Sequence, residues 1–116
     1  MEHKHLLINA TFNTTPFRST EFTSNWIRNI VDKIDMEILY APRAVRCDQI
    51  NNEGISAFCL ITTSHISLHS WEKTDPNLVQ LDVYSCKDFD VNLIIDDINQ
   101  FNPLDIKYKF LDRSFL

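Results

Sequence analysis

The sequence holds a single glycine, Gly54, among 116 residues. That scarcity excludes the Gly-x-Ser-x-Gly nucleophile elbow of α/β-hydrolases, which needs two. Cysteine is also sparse. Cys47, Cys59 and Cys86 are odd in number and none has Cys-x-x-Cys spacing. Free thiols in a reducing cytoplasm are therefore expected, rather than a disulfide framework. No apolar run approaches the roughly 18 residues of a membrane span. The opening "MEHKHLLINATF" is charged and too short for a secretory signal. Positive charge is in the minority: 11 Lys and Arg against 16 Asp and Glu leave a net charge of −5. Nucleic acid and anionic membranes are thus not expected as partners. No repeat, low-complexity segment or linker interrupts the chain.

What is present is an ordinary folding composition, 44% hydrophobic and 23% charged. A chain of this length buries roughly two-thirds of its unfolded surface, and a single domain over residues 1–116 is expected. His3–Phe12 reads as a strand, closed by the polar run Asn13-Thr14-Thr15-Pro16. Thr20–Asp35 reads as a helix, because Phe22, Trp26, Ile27, Ile30, Val31 and Ile34 recur at spacings of three and four. Ser19 or Thr20 suits its N-cap and Glu21 its first turn. Trp26 sits in that stripe as a core residue.

Met36–Val45 reads as a strand, with Pro42 marking an edge or a bend. Cys47–Gly54 is a polar turn, in which the lone glycine marks positive φ or a close backbone approach. Ile55–Ser64 and His65–Trp71 read as strands with a bend near Thr63–Ser64. Leu78–Cys86 alternates as another strand. Asp88–Phe101 reads as a second helix with Phe89, Leu93, Ile94, Ile98 and Phe101 on one face, and Pro103–Asp112 as a final strand. Two helices cannot cover both faces of such a sheet. The expected fold is α+β: a two-layer sandwich, largely antiparallel, with both helices on one face.

Chemistry crowds into "ITTSHISLHSW", Ile61–Trp71. Alternation places His65, Ser67 and His69 on one face and Ser64, Ile66, Leu68 and Ser70 on the other. His65 and His69 lie about 13 Å apart along such a strand, so those two alone do not make a metal site, and none is expected.

Taken together, "GIS" (Gly54–Ser56), "SHISLHSW" (Ser64–Trp71) and "LDVYSC" (Leu81–Cys86) resemble the prokaryotic-type S-adenosylmethionine decarboxylases. There a Gly-Val-Ser-type triplet precedes a Glu-Ser-His-Ile-Ser-Ile-His-Thr-Trp-type stretch, followed by Asp-Val-Phe-Thr-Cys. The resemblance runs over almost the whole chain. It implies a proenzyme that cuts its own backbone before a serine, here between Thr63 and Ser64, converting Ser64 into a covalent pyruvoyl cofactor. By the same resemblance His69 is the base for the elimination, Ser56 the hydroxyl that supports the cleavage intermediate, and Cys86 the proton donor after carbon dioxide leaves. The pyruvoyl group is an electron sink comparable to pyridoxal phosphate, and family products feed spermidine synthesis. The resemblance also implies a homodimer. Cys47 and Cys59 stay ordinary thiols.

Three positions depart from the family pattern. Thr63 stands where Glu usually precedes the cleaved serine. Ile50 stands where an aromatic side chain stacks on adenine, although Trp71 matches the family Trp. After Trp71, "EKTDP" replaces a Pro-Glu pair whose acid holds ribose hydroxyls, so either Glu72 takes that role shifted by one or Lys73 replaces the acid. The leading reading is an S-adenosylmethionine decarboxylase. The alternatives are a pyruvoyl decarboxylase of a basic amino acid, ornithine or arginine, and an uncleaved homologue that binds a nucleoside or a partner. Arg43, Arg46 and Glu53 lie near the expected pocket edge, where charged turn and edge-strand residues are the simpler reading.

Overall fold

The computed structural model describes residues 1–115. Its elements run β1 (Lys4–Phe12), α1 (Thr20–Lys33), β2 (Ile38–Cys47), β3 (Gly54–Ile61), β4 (Ser64–Trp71), β5 (Asn77–Ser85), α2 (Val91–Asn99) and β6 (Asp105–Asp112). The six strands form one antiparallel sheet in the order β2-β3-β4-β5-β1-β6. The expected α+β sandwich is what forms.

Alternation decides the two faces of the sheet. Leu6, Ile8, Ala10 and Phe12 of β1, Ile66 and Leu68 of β4, and Val79, Leu81 and Val83 of β5 are buried. They join Trp26, Ile27, Ile30, Val31, Ile94 and Ile98 of the two helices in one core. Each fully buried aliphatic or aromatic side chain contributes about 1.5–3 kcal/mol. The other face carries His5, Leu7, Tyr40, Phe58, Leu60, Ser67 and His69, half-exposed or exposed. No element of the described chain covers it.

Local chemistry sets the helix ends. Ser19 Oγ accepts from the Phe22 N–H at 3.2 Å, so Ser19 is the N-cap of α1. Asp90 caps α2 through the Asn92 N–H at 3.0 Å, which starts that helix at Val91 rather than Asp88. The two helices are joined through Asp97, which accepts from Trp26 Nε1 at 2.9 Å and from Lys33. Trp26 is 6% exposed and belongs to the core. β2 begins at Ile38 because Asp35 (φ 59°) turns the chain and Met36 is buried beneath it. Its register with β3 shifts on either side of Tyr40, ahead of Arg43, so the edge strand is irregular around Pro42.

Gly54 needs no positive φ. It is there for space: a Cβ would overlap the Ser70 carbonyl oxygen and lie 2.7 Å from its carbon. Both are backbone atoms of the neighbouring strand and cannot rotate away. Gly54→Ala is expected to cost about 3 kcal/mol, read as a lower urea midpoint at unchanged m-value.

Candidate active site

β3 and β4 form a hairpin through the two-residue turn Thr62–Thr63, pairing Ile61 with Ser64. The bend expected at Thr63–Ser64 is therefore a full reversal. Ser64 emerges from it with φ 147°. An L-residue there carries about 1–3 kcal/mol of strain. The Thr63 carbonyl oxygen accepts a hydrogen bond from the Cys86 backbone N–H at 2.8 Å. Cys86 reaches it because Ser64 pairs with Ser85, the last residue of β5. The sheet thus brings Thr63, Ser64 and Cys86 to one end of β4.

Ser56 and His69 meet elsewhere. They are cross-strand partners, and Ser56 Oγ is hydrogen-bonded to His69 Nδ1 at 2.8 Å. The His69 and Trp71 rings are 6.1 Å apart. Trp71 Nε1 donates to Asn52 Oδ1 at 2.9 Å. Trp71 borders a cavity of about 220 Å³, with Asn51, Glu53, Lys73 and Thr74. His69 follows Ser64 by five residues on an extended strand, which separates them by about 17 Å. Within one chain, the four residues taken as catalytic fall into two pairs at opposite ends of β4.

Two expected substrate contacts are placed differently. Ile50 is 80% exposed in the turn between β2 and β3 and does not line that cavity. Glu72 follows Trp71, so its side chain leaves the sheet toward the helices. There it accepts from Arg46 Nη1 at 2.8 Å and Nη2 at 3.1 Å, and Arg46 also donates to the Arg18 carbonyl ahead of α1. Donating these hydrogen bonds to Glu72 holds the Arg46 guanidinium above its usual pKa. Arg46 is exposed on the edge strand β2, as expected, and its ion pair takes Glu72 away from the ribose role expected of it. Lys73 and Glu53 border the cavity instead, and Glu53 Oε1 is buried with no hydrogen-bond partner among the described residues. Glu72→Gln is expected to cost about 0.5–1 kcal/mol of stability. It should leave the fraction of chain cut after Thr63 unchanged on a denaturing gel.

Cys59 is buried and donates to the Tyr40 carbonyl, and burial pushes its thiol pKa up. It is a core thiol, in keeping with its expected role. One grouping escaped sequence reasoning: His65 lies beside His5 and Asp82, from two other strands. Only their shared parity on facing strands signalled it.

A family model described as S-adenosylmethionine decarboxylase matches residues 4–114. The chain belongs to the S-adenosylmethionine decarboxylase family. Within that family it is 27% identical, over 93 residues, to an S-adenosylmethionine decarboxylase proenzyme from Archaeoglobus fulgidus. That match covers 76% of this chain and 79% of the relative. The fold is similar to the crystal structure of the adenosylmethionine decarboxylase from Aquifex aeolicus VF5, with a TM-score of 0.78 at 21% identity. The superposition covers 99% of this chain and 92% of the other. Among the described residues, no helix of this decarboxylase-family chain is long and apolar enough to cross a membrane.

Proposed function

We propose that this family member is a self-processing, pyruvoyl-dependent decarboxylase of S-adenosylmethionine, working as a homodimer. The observation that carries the reading is the Thr63–Ser64 linkage: a strained serine whose preceding carbonyl is already hydrogen-bonded. Ser64 Oγ attacks the Thr63 carbonyl carbon, the C–N bond breaks, and the freed amine takes a proton, leaving an ester. Negative charge grows on the Thr63 oxygen, toward which the Cys86 N–H already points. A base then removes the Ser64 Cα proton as the Thr63 carboxylate departs. Water adds to the resulting dehydroalanine end and ammonia leaves, completing the pyruvoyl group.

The residues present fit that group: a serine at a sharp turn, with a thiol one position past the opposing strand's end. When formed, it supplies a carbonyl that draws electrons from the substrate's breaking bond. His69, held by Ser56, is the base of the processing step. Cys86 Sγ delivers a proton to the substrate carbon. Trp71 covers the nucleoside, beside Asn51 and Glu53.

His69 cannot reach Ser64 of its own chain across about 17 Å. A second copy supplies it. The uncovered sheet face holds Leu7, Tyr40, Phe58 and Leu60, all partly exposed large apolar side chains, and two such faces bury each other. One copy's Ser64 and Cys86 then meet the other's Ser56 and His69.

Release of labelled carbon dioxide tests the substrate. Carboxyl-labelled S-adenosylmethionine is expected to be decarboxylated, and ornithine and arginine are not. Release from either amino acid alone would overturn the assignment. The family matches favour neither a basic amino-acid substrate nor a non-catalytic role.

A further inference from the structure

His5 of β1 and His65 of β4 flank Tyr84 of β5, since both are its cross-strand partners. Their rings lie 5.3 Å and 5.8 Å from the Tyr84 ring, which fixes their tilt. Both Nε2 atoms turn toward one oxygen, Asp82 Oδ1, at 2.5 Å from His5 and 3.6 Å from His65. All three ligand atoms lie within 4.8 Å of one another. One hydrogen bond explains one of these histidines, and it leaves the second unexplained.

We propose that His5, His65 and Asp82 bind one divalent transition-metal ion of the zinc type. Two imidazoles and one carboxylate are a donor set such ions take readily. Bonds of about 2.0–2.2 Å in tetrahedral geometry need ligand edges of about 3.4 Å. The edge to His65 is already near that value, and the one to His5 opens by about 1 Å as the ion replaces the proton between them. Arg113 Nη1 lies 3.4 Å from His5 Nδ1, on the far side of the ring from the ion. Asp82 also borders a groove of about 580 Å³, shared with Ser67, His69, Lys107 and Lys109. Sequence spacing fails to show this because His65 finds its co-ligands across strands. His69, its neighbour in the motif, is not one of them.

Tag-free protein, stripped with a chelator, is dialysed overnight against Zn²⁺ and separately against Co²⁺. One ion per chain is expected by elemental analysis, with a Co²⁺ spectrum that lacks a thiolate charge-transfer band. Asp82→Asn and His65→Gln should each weaken Zn²⁺ binding by more than about 100-fold, beyond the loss typical of outer-shell changes. Their apo circular dichroism controls for folding. If a variant does not fold, the wild-type Co²⁺ spectrum decides, because a thiolate band would place the ion on a cysteine. That band, unchanged affinity in folded variants, or no retained ion would overturn the site.

Discussion

Ser64→Ala is expected to leave one uncut chain and no decarboxylase activity. The substitution removes the only atom that starts the acyl shift. It changes little else, because Ser64 pairs through its backbone with Ile61 and Ser85. Alanine at φ 147° keeps the strain that serine carries, so the folded variant stays poised but has no nucleophile. A gel of the denatured protein reads the result directly. Cleavage persisting in Ser64→Ala would show that another residue attacks, or that a contaminating protease cuts the turn.

The second large effect concerns two defective chains made together. His69→Ala alone should slow processing by about 10²–10⁴-fold, the usual range for a removed acid–base group. Ser64→Ala alone does not cut. Co-expressed in equal amounts, they pair at random, and half of the dimers are mixed. Each mixed dimer has one complete site: Ser64 and Cys86 from the His69→Ala chain, Ser56 and His69 from the Ser64→Ala chain. About a quarter of all chains should then be cut, all of them His69→Ala chains. A site built within one chain predicts no cutting in the mixture. The test follows from the length of β4, which holds the two pairs apart.

Much of this was legible in the sequence. Period-two alternation in β1, β4 and β5 and the apolar stripe of α1 fixed the layers, because burial on one face leaves few other registers. Ser19 and Trp26 followed from local rules. The roles of Ser56 and His69 were legible only as a resemblance; their pairing comes from the hairpin register. Four features were hidden. The separation of His69 from Ser64 is a matter of strand length, which a motif read as a string does not display. Glu72 pairs with Arg46, 26 residues away, and alternation at the strand end turns it from the open face. Ile50 lies in an irregular turn, where no period tells which side chains point inward. The Thr63 carbonyl's hydrogen bond from Cys86 joins residues far apart in sequence, and only the sheet order reveals it.

Intact mass of the purified, denatured wild-type chain tests self-processing most directly. The expected spectrum has two species, residues 1–63 and residues 64–116, the second lighter by one ammonia than the same fragment with Ser64 as a free N-terminal serine. A single uncut 13.6 kDa chain that persists for days, or a second fragment with an ordinary serine amine, would contradict it.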